Sequence, residues 1–349
     1  MSRAEVRFVA RWLINYTANA MTQSRLRRED YTVGWISALP IEKAAALCML
    51  DGLPHTAPPL PNYDRNNYTF GRVGEHNVVM ACMPSGAYGT TSAAVIAESM
   101  MRTFTSIRFN LMVGIGGGVP NATNDIRLGD VVVSTGVIQY DYGKTIREGR
   151  FTRTAFPVKP PLILLNAIST LQANHISFGY GKMLGYLSAA APQSSNLFAP
   201  PGMQRDCLFE PQYDHFEGWD TCASCDPNRL VRRNSRSADI PMVHYGSVAS
   251  ANQVMKHGTT RERLGKELNV LCFEMEAAGL IDHFQCLTIR GICDYSDSHK
   301  NKYWQPYASA TAAAYAKELL SVIPESKMSK TEVVGAVVDR EGILQALFG

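Results

Sequence analysis

The stretch Thr32-Val33-Gly34-Trp35-Ile36-Ser37-Ala38-Leu39-Pro40-Ile41-Glu42 opens with a short apolar run and then turns at once to a proline and a glutamate. Residues 33–39 read as a buried strand, and residues 41–50 as a helix with Glu42 in its first turn. Outward from this unit the pattern repeats. Residues 68–73 and 77–83 predict paired strands about a Gly-Glu-His turn, 89–104 a helix, 109–113 a strand running into glycines, and 130–140 another strand. Residues 162–171, 260–268, 275–283 and 308–323 predict helices, with strands at 244–250 and 287–293. The alternation predicts one α/β domain over residues 31–324, with a central mixed, mostly parallel twisted sheet flanked by helices.

With 349 residues, 46% of them hydrophobic, the chain can bury one large core and still carry an extension over residues 1–30 and a tail over 325–349. The extension is Arg-rich and weakly amphipathic over residues 6–21, slightly like a mitochondrial presequence; a plain helical extension is the preferred reading. The tail is polar and then apolar over residues 333–348. A net charge of +3 is too mild for a nucleic-acid polymer as partner, and the one basic run, Arg25 to Arg28, falls in the extension. No apolar stretch is long enough to span a bilayer, and eight cysteines without regular spacing predict a soluble, cytoplasmic protein rather than a membrane or disulfide-linked one. Residues 193–241, rich in Pro, Asp and Arg with little periodicity, predict an insertion or long loop.

The run Gly114-Ile115-Gly116-Gly117-Gly118-Val119-Pro120 follows a predicted strand, where α/β sheets offer backbone N–H groups to ligands. It is not a dinucleotide fingerprint. The third glycine would fall on Val119, and Pro120 would interrupt the helix a pyrophosphate needs. Gly116 and Gly117 therefore allow close approach to a sugar or anion, or serve packing alone. The turn Ser85-Gly86-Ala87-Tyr88-Gly89-Thr90-Thr91 opens a helix whose N–H groups suit an anion, with Thr90 as a contact, or are simply capped.

Two acidic segments border core elements: Phe273-Glu274-Met275-Glu276-Ala277-Ala278-Gly279-Leu280 and Arg290-Gly291-Ile292-Cys293-Asp294-Tyr295-Ser296-Asp297. Carboxylates are costly to desolvate there unless they bind or titrate something. In a regular helix Glu274 and Glu276 would point well apart, so both serve one ligand only if the helix has barely begun.

Residues 32–42, the Gly114–Gly118 run, Gly129-Asp130-Val131-Val132-Val133-Ser134, and the starts of both acidic segments occur in an order that resembles the nucleoside phosphorylase and nucleosidase superfamily. The resemblance covers about residues 31–323. Within the superfamily it is to fungal-type domains often fused to signalling modules and linked to cleavage of adenine nucleotides, and in motif to methylthioadenosine/S-adenosylhomocysteine nucleosidase. It implies cleavage of a purine N-glycosidic bond, with Asp294 as general acid toward the base, a role that burial would favour by raising its pKa. Glu276 would accept hydrogen bonds from the ribose hydroxyls, with Glu274 beside it, and Met275 would pack on the sugar. Glu42 would orient and deprotonate water, held by Arg290. Phosphorylases carry cationic phosphate ligands at the Glu42 position instead. Ser250, Val254 and Met255 would form the base-binding edge, although the bacterial nucleosidases have a phenylalanine at Val254. Lys144, Arg147, Lys300 and Lys302 could favour a 5′-phosphate or form solvated faces.

The resemblance implies no cofactor, no metal, a small-molecule purine partner and a homodimer or larger homo-oligomer. Its rivals are a phosphate-dependent phosphorylase and a non-catalytic nucleotide sensor. Cys222-Ala223-Ser224-Cys225, with Cys207 and His215 upstream, is compatible with a zinc site, but a pair of loop thiols is the preferred reading. Cys293 reads as a small buried apolar residue.

Overall fold

The computed structural model describes residues 26–53, 57–216, 221–236, 238–281 and 284–328. The amphipathic stretch at 6–21, the apolar tail at 333–348 and the end of the helix expected at 275–283 lie outside these residues. Every residue of β1 (Val33–Ser37) is buried, and α1 (Pro40–Leu47) follows it, starting on a proline whose missing N–H is no loss at a helix start. Then come β2 (Tyr68–Val73), β3 (His76–Cys82), α2 (Thr90–Thr103), β4 (Phe109–Gly118), β5 (Val131–Gln139), β6 (Gly143–Thr145), β7 (Phe151–Arg153), α3 (Leu162–Phe178) and α4 (Gly181–Gln193). The chain ends its described part with β8 (Val243–Ser250), α5 (Gly258–Leu268), β9 (Val270–Glu274), α6 (Ala278–Ile281), β10 (Cys286–Asp294), α7 (Gln305–Ser321) and α8 (Glu325–Met328).

The main sheet runs β10-β5-β8-β9-β4-β1-β3-β2, and β10 also pairs with β4. Five strands thus close on themselves into a distorted barrel, from which β1, β3 and β2 extend. Parallel pairings outnumber antiparallel ones, as the alternation of strand and helix requires. Both faces of the extension are covered: Val33, Trp35, Met80 and Leu111 join a core with α1, α3, α4 and α7, while Ile36, Val79 and Met112 join one with α2. Burial on both sides is why these strands read as continuous apolar runs. Trp35 is fully buried, and truncating it to alanine would cost about 3–5 kcal/mol.

The elements depart from expectation in three ways. β4 does not stop at Val113 but carries the glycine run into the sheet, pairing with β10 and, at Gly117 and Gly118, with β9. Five elements, β6, β7, α4, β9 and α8, had no counterpart in the sequence reading. The helix expected from Met275 begins only at Ala278. The Glu274 carboxylate accepts the amides of Glu276 (3.1 Å) and Ala277 (3.0 Å), a local turn that competes with helix formation. Residues 194–242 hold only short 3-10 turns and an isolated bridge among those described. No described helix is long and apolar enough to cross a membrane.

Candidate active site

Glu42 sits in the third position of α1, and its geometry follows from that place. One carboxylate oxygen, Oε2, accepts the amides of Ala38 (2.7 Å) and Leu39 (2.9 Å), closing the helix start; the other, Oε1, accepts the Ile115 amide of β4 at 2.8 Å. Burial pushes the Glu42 carboxyl up from the usual range, against the pull of Arg290 and these amides. Arg290, on β10, is fully buried. It donates to Glu274 and to Glu276 (3.2 Å), with a longer bond to the Ile115 carbonyl (3.4 Å). Burial would lower its pKa, but Glu274, Glu276 and Glu42 together raise it, so it stays a cation. Arg290 therefore bonds Glu274 and Glu276 directly and acts on Glu42 through its charge. Burial, with Glu274 and Glu42 nearby, pushes Glu276 up to about 7 despite Arg290.

The glycines make this crowding possible. A Cβ at Gly114 would lie 2.4 Å from Glu42 Oε1 and 2.5 Å from Arg290 Nη1; one at Gly117 would lie 2.1 Å from Ser296 Oγ and 2.7 Å from Asp294 Oδ1. Of the alternatives left open for the run, packing against the acid and arginine side chains is thus visible, while Gly116 and Gly117 also line a cavity of about 180 Å³.

That cavity is lined by Glu42, Glu274, Met275 and Glu276 and by Val254 and Met255. Asp294 does not line it. A register shift interrupts the β10–β4 pairing between Ile292 and Asp294, and Asp294, paired with Gly117, faces a second cavity of about 430 Å³. Its Oδ1 accepts the Ser296 amide (2.9 Å) and its Oδ2 pairs with Lys300 Nζ (2.8 Å). Both Ser296 and Lys300 line the first cavity, so Asp294 stands one side chain behind its wall. Burial alone would lower the Lys300 ammonium, but Asp294 and its neighbours raise it.

Two other expected contacts are engaged elsewhere. Ser250 is fully buried and its hydroxyl accepts the Ala278 amide (2.9 Å), capping α6. Thr90 bonds Asn252, with its amide 2.9 Å from Asn252 Oδ1, and is not in the cavity wall. Among the four basic candidates only Lys300 lines the cavity; Lys144, Arg147 and Lys302 are exposed. Tyr88, Gln253, Phe273, Ser296 and Gln305 line it without having been singled out. Phe273 and Ser296 lay inside the acidic segments and Tyr88 inside the Ser85–Thr91 turn, whereas nothing near Gln305 signalled a role. Among the described residues one group could hold a metal, His215, Cys222, Cys225 and His299, and it lies outside this cavity.

Residues 32–196 match the family model of the Phosphorylase superfamily. A nucleotide-binding leucine-rich repeat (NLR)-like protein of Hyaloscypha variabilis is 44% identical over 328 residues, 92% of this chain and 32% of that protein, so the chain spans about a third of the relative's length. Among solved structures, the 5′-methylthioadenosine/S-adenosyl homocysteine nucleosidase of Helicobacter pylori matches with a TM-score of 0.54 at 14% identity, covering 84% of this chain and 98% of its own. The futalosine hydrolase of the same organism matches at 0.53 and 15%, covering 84% and 98%. The Neisseria meningitidis methylthioadenosine/S-adenosylhomocysteine nucleosidase matches at 0.53 and 17%, covering 83% and 98%. At these identities the structural likeness speaks for the fold alone. Fold and ordered motifs agree with the Phosphorylase superfamily match, which the family model places on residues 32–196.

Proposed function

We propose that the chain is a purine nucleosidase that hydrolyses the N-glycosidic bond of adenine nucleosides or nucleotides, releasing adenine and ribose or ribose phosphate. The observation that carries this reading is Glu42, fixed by three backbone amides in the wall of a cavity it shares with Glu274 and Glu276. A carboxyl raised by burial is a competent base for water. Water oxygen bonds to the anomeric carbon, its proton passes to Glu42, and the glycosidic electron pair leaves with the base, which takes a proton from Asp294. Glu276 accepts the ribose hydroxyls, Met275 covers the sugar, and Val254 and Met255 cover the purine. Lys300 either moves off Asp294 or relays its proton, since it stands between that acid and the cavity.

Phosphorolysis fits less well. Lys300 is the one Lys or Arg among the described wall residues and is already paired, and Arg290 behind the wall is committed to carboxylates, so a phosphate dianion would meet surplus negative charge. A 5′-phosphorylated substrate is favoured as a second reading by exposed Lys144 and Arg147 on and beside the β6–β7 hairpin, which follows Asp141, the acceptor of the Asn252 amide (3.3 Å) near Val254. Similarity to an NLR-like protein suits a catalytic module of a larger signalling protein, and we place it in a homodimer or larger homo-oligomer.

The test is a product assay over adenosine, AMP and ATP with and without phosphate. Adenine should appear without phosphate; adenine formed only with phosphate makes the protein a phosphorylase, and binding without turnover, unchanged by Asp294→Asn, makes it a sensor. In the nucleosidase Asp294→Asn lowers kcat about 100-fold or more at nearly constant KM, whereas Glu276→Ala damages both.

A further inference from the structure

We propose that His215, Cys222, Cys225 and His299 form a structural zinc site that staples the insertion to the loop following β10. Their ligand atoms all lie within 4.8 Å of one another. His299 Nδ1 is 3.7 Å from Cys222 Sγ and 3.7 Å from Cys225 Sγ. Around a tetrahedral zinc with the usual Zn–S and Zn–N lengths, a sulfur and a nitrogen stand about 3.6 Å apart, so these spacings need almost no adjustment.

The local chain presents the ligands together. Cys222–Ser224 is a 3-10 turn with the Cys225 amide bonded to the Cys222 carbonyl (3.1 Å) and Thr221 capping its start, which brings both thiols of the C-x-x-C to one side. The imidazoles have the outer partners that metal-bound histidines take: His299 Nε2 lies 2.9 Å from the Tyr213 carbonyl, and His215 Nδ1 lies 2.9 Å from the Phe216 carbonyl. Phe209 stacks on His299 at 4.0 Å between ring centroids, closing one side against water.

Chemistry selects the metal. Two sulfurs and two ring nitrogens gathered within 4.8 Å of one another suit zinc over the oxygen-seeking cations. All four positions come from the protein, which is the closed set of a structural rather than a catalytic centre. On binding, each thiol loses its proton to solvent, and two thiolates cancel the charge of the dication, leaving a neutral unit in a partly buried site. Cys225 and His299 are buried, and binding couples metal uptake to release of the thiol protons. The staple reaches the proposed chemistry through sequence: His299 precedes Lys300, the partner of Asp294.

The experiment is elemental analysis of the full chain purified under reducing, chelator-free conditions, followed by cobalt substitution. About one zinc per chain is expected, and the cobalt form should show tetrahedral d–d bands with thiolate-to-cobalt charge transfer. Cys222→Ser/Cys225→Ser should lose both, and Cys207→Ser should keep both. Cobalt titration of the parent needs no variant to fold. Zinc well below one equivalent with no charge-transfer band on cobalt addition overturns the proposal, as does a Cys222–Cys225 disulfide that forms in the protein as purified with no metal uptake after reduction. Loss of metal in Cys207→Ser with retention in the double variant overturns the ligand set.

Discussion

Two clusters of chemically active side chains stand in different kinds of structure. Glu42, Glu274, Glu276 and Arg290 hang from the start of α1, the end of β9, the turn after it and β10, and each carboxylate is bonded to a main-chain amide or to the arginine. His215, Cys222, Cys225 and His299 come from segments outside the strands and the α-helices. The first cluster is held by a core that exists for other reasons and can carry buried charge. The second is held by contacts between loops, among them the Phe209 ring on His299 and the His215 amide on Ser298, and a metal cross-link would add to these. A rigid frame lets acids be arranged for reaction; an irregular loop needs a fastening before it can position anything.

The largest expected effect breaks the first cluster at its cation. Arg290→Met leaves Glu42, Glu274 and Glu276 buried around an apolar side chain, and removing one partner of a buried ion pair costs about 3–5 kcal/mol. Denaturant unfolding should show a loss of that size, enough to leave little folded protein at 37 °C. A loss below about 1 kcal/mol would mean that the carboxylates take up protons and that the arginine is not their anchor.

A smaller effect follows from Glu276, whose carboxyl is raised from 4.5 to about 7. The folded state holds this proton more tightly than the unfolded chain. Its stabilising contribution is therefore complete below pH 4.5 and is lost as pH rises through 7. Stability should fall by roughly 1–3 kcal/mol across that window, and Glu276→Gln, which cannot ionise, should flatten the fall. Over the same window KM should drop as the carboxylate becomes able to accept both ribose hydroxyls. A parent and variant with parallel pH profiles would place the titration elsewhere.

The sheet was legible in the sequence because its strands are buried on both faces and read as apolar runs, and the acids because they sit where those runs end. The glycine run was legible only as a choice between close approach to a ligand and packing: β4 continues through it, the missing side chains make room for Glu42, Arg290, Ser296 and Asp294, and Gly116 and Gly117 line the cavity. Ser250 was expected at the base-binding edge from the family resemblance; its hydroxyl caps α6, a bond that periodicity does not register. His299 escaped notice for a different reason. It lies more than seventy residues from the thiols it faces, and only the return of the insertion onto the β10 loop brings them together.

The smallest effect on stability tests whether the two clusters communicate at all. Lys300 follows His299 and pairs with Asp294 at 2.8 Å, with its side chain 27% exposed. Asp294 keeps the Ser296 amide when the lysine is gone, so Lys300→Met should cost less than about 1 kcal/mol. Turnover should nonetheless fall several-fold, because the proposed proton donor loses the charge that orients it. Stripping zinc from the parent should lower turnover in the same direction by loosening the loop that carries this lysine. If the staple acts through Lys300 alone, stripping zinc from Lys300→Met adds nothing further, and the two losses fail to multiply. Losses that do multiply would mean that the insertion and the acid cluster are energetically separate, and that the nearness of His299 to Lys300 has no catalytic consequence.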